Sequence, residues 1–168
     1  MNKQTTLHFF CGKMAAGKST LAKSILAGIL AEQKNAVLLS EDEWLTALYP
    51  DEISSIPDYL KYSARLKNIL FPHIQSLLVS GVSVVLDFPA NTQQQRSWFR
   101  SLFEQSGSAH QLHYVDKSDE VCKFQLKQRN QESPEATAFT TDEAFELITQ
   151  YFQAPLDDEG FNLISYKI

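Results

Sequence analysis

The chain has 168 residues, 43% of them hydrophobic and 21% charged, which is enough for one closed core and excludes wholesale disorder. Its net charge of -5 argues against sequence-independent binding of DNA or RNA, which needs a basic face, but leaves room for a small anion held by a few local cations. No run approaches the ~20 apolar residues of a bilayer span. The start Met1-Asn2-Lys3-Gln4-Thr5-Thr6 lacks a signal-like apolar region, and two cysteines make no disulfide framework, so a cytoplasmic protein without membrane partners is expected.

In chain order, Leu7-His8-Phe9-Phe10-Cys11 is an apolar run that stops at Gly12, the pattern of a buried strand with Cys11 a buried thiol and His8 a satisfied core histidine. From Lys18 to Gln33, Leu21, Ile25, Leu26, Ile29 and Leu30 recur at helical spacing. Ala36-Val37-Leu38-Leu39 predicts a second strand leading into the acidic turn Ser40-Glu41-Asp42-Glu43, and Trp44, Leu45 and Leu48 a short helix ending near Pro50. A long helix is expected from Asp58 to Ser80, with Leu60, Leu66, Ile69, Leu70, Ile74, Leu77 and Leu78 inward, closed by Gly81.

Val82-Ser83-Val84-Val85-Leu86-Asp87 is the clearest strand, followed by a helix over Gln93 to Gln105. Gln111-Leu112-His113-Tyr114-Val115 is a fourth strand, Ser118 opens a helix to about Arg129, and a polar loop containing Pro134 runs from Asn130 to Ala138. Thr140 with Glu143 has capping-box spacing for a last helix to about Phe152, and Phe161 to Tyr166 closes as a fifth strand. Strands alternating with helices imply an α/β fold, a five-stranded parallel sheet with helices on both faces, in one domain over residues 1–168.

Gly12-Lys13-Met14-Ala15-Ala16-Gly17-Lys18-Ser19 matches Gly-x4-Gly-Lys-Ser without gaps, between a strand and an amphipathic helix. Gly12 and Gly17 let successive N–H groups converge on one phosphate, and the helix that follows adds its positive dipole end. Lys18 is placed to bridge β- and γ-phosphates, Ser19 to ligate Mg2+ and Thr20 to reach the α-phosphate, so ATP with magnesium is the expected ligand. Asp116-Lys117-Ser118-Asp119 resembles a guanine-reading motif, but that motif needs Asn or Thr where Asp116 stands.

Asp87, at a strand end, either holds magnesium or caps the following turn; Phe88 after it, in place of a second acid, weighs against a dedicated hydrolase. Asp42, in the next βα loop, either prepares an acceptor hydroxyl or serves a helix N-terminus, with Glu41 and Glu43 as alternatives for the active acid. Arg65 in the cationic, aromatic segment Tyr59 to Lys67, and Arg96, four residues before Arg100, are candidates to grip an anionic or aromatic acceptor; Lys61, Lys67 and Arg100 read as solvated. His73, His110 and His113 show no zinc-ligand spacing.

The phosphate loop, Leu39-Ser40-Glu41-Asp42-Glu43-Trp44, Val84-Val85-Leu86-Asp87 and Leu126-Lys127-Gln128-Arg129-Asn130 fall in the order of the small P-loop kinases. The chain resembles most the branch containing polynucleotide 5′-kinase, chloramphenicol phosphotransferase and zeta toxins, over about residues 5 to 130. The resemblance implies a three-layer α/β/α P-loop NTPase fold with a short lid at about 126–139, Asp42 as the acid that activates the acceptor and Arg129 as a lid arginine. It also implies that the tail with Pro155 and Phe161 lies near the adenine ring, although Phe161 reads equally as core. Two departures stand out: Gln125 where many relatives have a further arginine, and Leu45 where many have arginine after the acid. The implied reaction is transfer of the ATP γ-phosphate to a hydroxyl of a small molecule or nucleotide. A regulatory ATPase with no acceptor and a polynucleotide 5′-hydroxyl kinase are the alternatives.

Overall fold

The computed structural model describes residues 4–133 and 139–167. β1 (Thr6–Cys11), β2 (Ala36–Ser40), β3 (Ser83–Pro89), β4 (Ala109–Asp116) and β5 (Leu163–Lys167) form one sheet in the order β2-β3-β1-β4-β5, every neighbouring pair parallel. The connections carry α1 (Lys18–Ala31), α2 (Glu41–Leu48), α3 (Ile56–Val79), α4 (Gln93–Ser106), α5 (Asp119–Glu132) and α6 (Asp142–Thr149). Because β2 and β4 leave the central β1 in opposite directions, the strand order reverses there. A crevice for ligands opens beyond the carboxyl ends of strands at such a reversal.

Strand alternation distributes β1 between two layers. Phe9 stacks on Phe99 of α4 at 4.7 Å and shares a core with Leu66, Leu70 and Ile74 of α3. Phe10 points the other way, onto Ala22 of α1. A third cluster packs Ala16 and Val115 against Cys122 and Leu126 of α5 and Phe145 of α6, which seats the turn after β1 on the α5–α6 side. Among the described residues no helix is long and apolar enough to cross a membrane.

Two sequence expectations fail in detail. Leu60 and Ile69 of α3 are exposed rather than inward, because the buried stripe follows Tyr62, Leu66, Leu70, Ile74 and Leu78, and both lie off it. The last helix is capped by Thr141, which accepts from Ala144 N at 3.1 Å, so Thr140 and Glu143 form no capping box. Residues 134–138, including Pro134 and most of the second half of the expected lid, lie outside the described residues, as do Met1, Asn2 and Lys3; residues 126–132 of that lid are the end of α5.

His8 is the core histidine the sequence suggests. Its Nδ1 lies 3.0 Å from His113 Nε2, and His113 Nδ1 lies 2.9 Å from Tyr166 Oη, in a chain that crosses from β1 through β4 to β5. Burial lowers both imidazole pKa values to about 4. The unfolded chain takes up these protons near pH 6.5 and the folded one resists until about 4, so the stability they support is lost as pH falls through that interval. In an NMR titration both rings should remain neutral at pH 6; a midpoint near 6.5 for either would show that the chain is hydrated.

Candidate nucleotide and phosphoryl-transfer site

β1 ends at Cys11, and the backbone turns at once. A Cβ on Gly12 would lie 3.0 Å from Val115 O and 3.3 Å from Lys18 Cγ, so any larger residue would have to push the neighbouring backbone or Lys18 aside. The Gly12 N–H donates to Asn91 Oδ1 at 2.9 Å, and Asn91 is itself held by its N–H donating to Gln95 Oε1 at 2.8 Å. Ala16 N–H donates to Lys13 O at 3.1 Å, Ala15 adopts φ 59°, and Gly17 leads into α1 at φ 104°. Both turning residues are left-handed, a conformation costly for Ala15 and natural for Gly17.

Gly17 is the N-cap of α1, with no side-chain cap bond and no acid in the first turn. By contrast, Ser55, Thr92, Ser118 and Thr141 each place a hydroxyl on the N–H groups opening α3, α4, α5 and α6. The leading N–H groups of α1, like those of α2, receive no side-chain cap, and a helix dipole favours an anion at such an end. Ser19 and Thr20 stand exposed on this same first turn. The backs of Met14, Ala15 and Ala16 pack on the α5–α6 cluster, which fixes the loop from behind. Lys13 sends its ammonium to Asp119 at 2.6 Å and over Phe152 at 5.6 Å.

Lys18 turns its ammonium back to the loop, donating to Gly12 O and, at 2.9 Å, to Lys13 O. Burial lowers its pKa, and the fields of Cys11, Asp87 and Asp42 oppose that shift. Asp87 on β3 pairs in register with Ser40 of β2, so the carboxyl ends of β2 and β3 set Asp87 beside the start of α2. Asp42 opens α2 with its side chain at the exposed rim. Partial desolvation and then the Asp87 carboxylate raise its pKa, while Arg129 and Lys18 pull it down. Lys18, Asp42 and Asp87, from three different elements, thus lie within one another's fields, and Arg129 of α5 lies within that of Asp42. Of the charged groups that the sequence singled out, Lys18, Asp42, Asp87 and Arg129 come near one another, whereas Arg96 does not join them.

Glu41 is the neighbouring acid that this geometry removes from consideration. It is 1% exposed and accepts from Tyr59 Oη and, at 2.8 Å, from Ser63 Oγ. Burial raises its pKa, and nearby Lys67 opposes the rise. Both carboxylate oxygens are spent tying α2 to α3, which holds the Asp42 backbone in place. Glu43 is exposed on the next position.

Arg96 corrects the sequence reading. It is not an acceptor contact. The guanidinium is 1% exposed and forks onto Glu159, Nε to Oε2 at 2.6 Å and Nη2 to Oε1 at 2.8 Å, while Nη1 donates to Ala90 O and Gln153 O, both at 2.9 Å. Arg100, one turn on, donates to Glu159 O and lies over the Phe161 ring at 4.3 Å, so it is not merely solvated. The shared face of Arg96 and Arg100 clamps the tail between α6 and β5 rather than facing the rim. Phe161 packs edge-on against Phe9 at 5.7 Å as core. Lys67 also leaves its expected solvated role, since it lies over Trp98 at 5.4 Å and burial lowers its pKa. Arg65 remains exposed on α3, its guanidinium 5.5 Å from the Tyr62 ring centroid.

Replacing Glu159 by Gln would leave the buried Arg96 charge without its counterion, at a cost of about 3 kcal/mol in a denaturant titration. A change within 0.5 kcal/mol would mean that the two backbone carbonyls suffice for Arg96. Glu159 and Asn91 are the residues that sequence reasoning missed. Asn91 had one available signal: it is the polar residue that follows the β3 run, at the rim where ligands collect.

The strand order, the glycine-turned loop and the charged rim define an α/β P-loop nucleotide-binding fold of the kinase-like type. The chain belongs to the AAA domain family AAA_33, whose family model matches residues 7–155. No curated protein matches the chain. Among solved structures, a Chloroflexus aurantiacus protein assigned only provisionally as a kinase superposes with a TM-score of 0.71 at 17% identity, over 99% of this chain and 86% of that one. The Mycobacterium tuberculosis APS kinase CysC, in complex with AMPPNP and APS, gives 0.66 at 17%, over 96% and 88%. Chaetomium thermophilum Kti12, in complex with ADP-AlF3, gives 0.67 at 15%, over 96% and 89%. At these identities the likeness is one of fold.

Proposed function

We propose that this chain is an ATP-dependent phosphotransferase that moves the γ-phosphate onto a hydroxyl of a small molecule or nucleotide. The observation that supports this best is the meeting of Lys18, Arg129, Asp42 and Asp87 at the mouth of an uncapped helix N-terminus. The backbone from Gly12 to Ser19 cradles the phosphates, and Thr20 lies one residue on, within reach of the α-phosphate. Lys18 and Arg129 neutralise charge on the transferring group. Ser19 and Asp87 offer the hard oxygen donors that would hold magnesium, which supplies charge neutralisation on phosphate oxygens.

In this reading the acceptor oxygen forms a bond to the γ-phosphorus as the bond from phosphorus to the β-bridging oxygen breaks. That electron pair leaves with ADP, and the acceptor proton passes to Asp42. Ionised Asp42 has the oxygen needed to take it, and its exposure at the rim lets a substrate reach it. Arg65, exposed on α3, is the remaining cation of the expected acceptor set. A cytoplasmic location goes with ATP as the donor.

A screen with γ-labelled ATP over sugars, nucleosides, antibiotics and 5′-hydroxyl oligonucleotides tests the reading. Label should appear in one class of acceptor. Label released only as free phosphate would favour the second reading, a regulatory ATPase, which Gln125 supports by removing one lid cation. Label on oligonucleotides, with binding that weakens steeply in salt, would make the acceptor a nucleic acid end.

A further inference from the structure

Gln125 leaves a gap in the charge of the rim, and the structure holds a cation beside it. Lys117, the residue before the α5 N-cap Ser118, reaches back from the end of β4. Its Nζ donates to Gln125 Oε1 at 3.5 Å and would lie 3.7 Å from a Cβ built on Gly17. It therefore stands against the glycine that opens the phosphate-binding helix. Its neighbour Asp116 is turned to Tyr114 Oη at 3.2 Å, and among the described residues no carboxylate pairs with the Lys117 ammonium.

We propose that Lys117 is a phosphate-binding residue of this chain, supplying to the terminal phosphoryl group the positive charge that an arginine at position 125 would otherwise bring. The inference rests on the phosphotransferase reading above. Gln125 fits this role as a holder rather than as a lost function: its amide oxygen accepts from the ammonium, and arginine there would set a second cation against Lys117. A lysine on the β4–α5 loop and an arginine on α5 are alternative ways of charging the same spot, and this chain carries the first. The arrangement also accounts for the lysine in Asp116-Lys117-Ser118-Asp119 without a guanine base.

Calorimetry of ATP and ADP, each with magnesium, on the unaltered protein, Lys117→Gln, Gln125→Arg and the double variant tests this. Removing one charge-assisted contact to the terminal phosphate should weaken ATP binding roughly tenfold or more and ADP binding distinctly less. Gln125→Arg should restore the ATP preference in the Lys117→Gln background and bring no such gain when Lys117 is present. An unchanged ATP-to-ADP ratio in Lys117→Gln overturns the proposal, as does an equal effect of Gln125→Arg in both backgrounds. The ratio separates loss of a phosphate contact from general damage, which would lower both affinities together.

A second measurement needs no variant. ATP should shield Lys117 of the unaltered chain from lysine acylation, read residue by residue by mass spectrometry, and ADP should shield it much less. Equal shielding by both contradicts a terminal-phosphate role. If the unaltered chain bound neither nucleotide, the phosphotransferase reading would fall first, and this proposal with it.

Discussion

Replacing Lys18 by alanine abolishes nucleoside triphosphate binding by calorimetry, a loss of a hundredfold or more, while the folded structure is retained. The side chain now donates to two loop carbonyls, Gly12 O and Lys13 O, and part of its charge is balanced by Asp87 and Asp42. Removing it deletes two hydrogen bonds of modest net value, since each exchanges with water, at about 1 kcal/mol apiece. The phosphate, in contrast, loses a charged contact in a partly desolvated site and is left facing two carboxylates with only Arg129 and Lys117 in compensation. A desolvated charge-assisted contact is worth about 3 kcal/mol, which is the hundredfold. Unchanged affinity in Lys18→Ala would mean that Gly12 to Ser19 is a turn and not a phosphate site.

Asp42→Asn keeps nucleotide binding and loses phosphotransfer, by a factor of about 100 to 10,000, the range for a positioned acid–base group. The amide preserves shape but cannot take the acceptor proton. Removing a negative charge beside the triphosphate should, if anything, tighten ATP binding, since Asp42 and Asp87 both repel phosphate. The pH dependence follows the same group. Desolvation and then Asp87 raise its pKa from its ordinary value, so the base form, and transfer with it, is lost as pH falls through that raised value. Transfer in Asp42→Asn should lose this acidic limb. Equal loss of binding and transfer would instead place Asp42 among the nucleotide or metal contacts.

The sequence carried the order of elements and the phosphate loop because both are local. The β-branched run ending at Asp87 and the Gly-x4-Gly-Lys-Ser turn depend on residues that adjoin in the chain. The meeting of Lys18, Asp42, Asp87 and Arg129 followed from the fold, since parallel connections bring the carboxyl ends of strands and the βα loops to one rim. Arg96 failed for the opposite reason. Its spacing with Arg100 correctly put both on one face of α4, but which neighbour covers that face is a tertiary fact. Glu159, 63 residues away, covers it.

The burial of Lys67 and of Glu41, an alternative to Asp42 in the sequence, was hidden likewise, because burial of one charged side chain depends on what packs across it. Trp98 lies under the Lys67 ammonium, and Tyr59 and Ser63 reach Glu41 from a helix whose lateral placement no sequence spacing states. The role of Lys117 was hidden in the same way. In the sequence it sits in a loop eight residues before Gln125, and only the turn into α5 brings the two side chains together.

In the proposed reaction Lys18 and Arg129 hold the terminal phosphate, Asp87 the metal and Asp42 the acceptor, four groups from four elements around one transfer. A crystal structure of the protein with a non-hydrolysable ATP analogue and magnesium measures this directly. Phosphates should lie along the N–H groups of Gly12 to Ser19, with the γ-phosphate in hydrogen-bond reach of Lys18 and Arg129, Ser19 on the metal, and Asp42 facing the γ-phosphorus from the side opposite the leaving oxygen. A nucleotide seated away from that loop, or a γ-phosphate turned from Asp42, would contradict it.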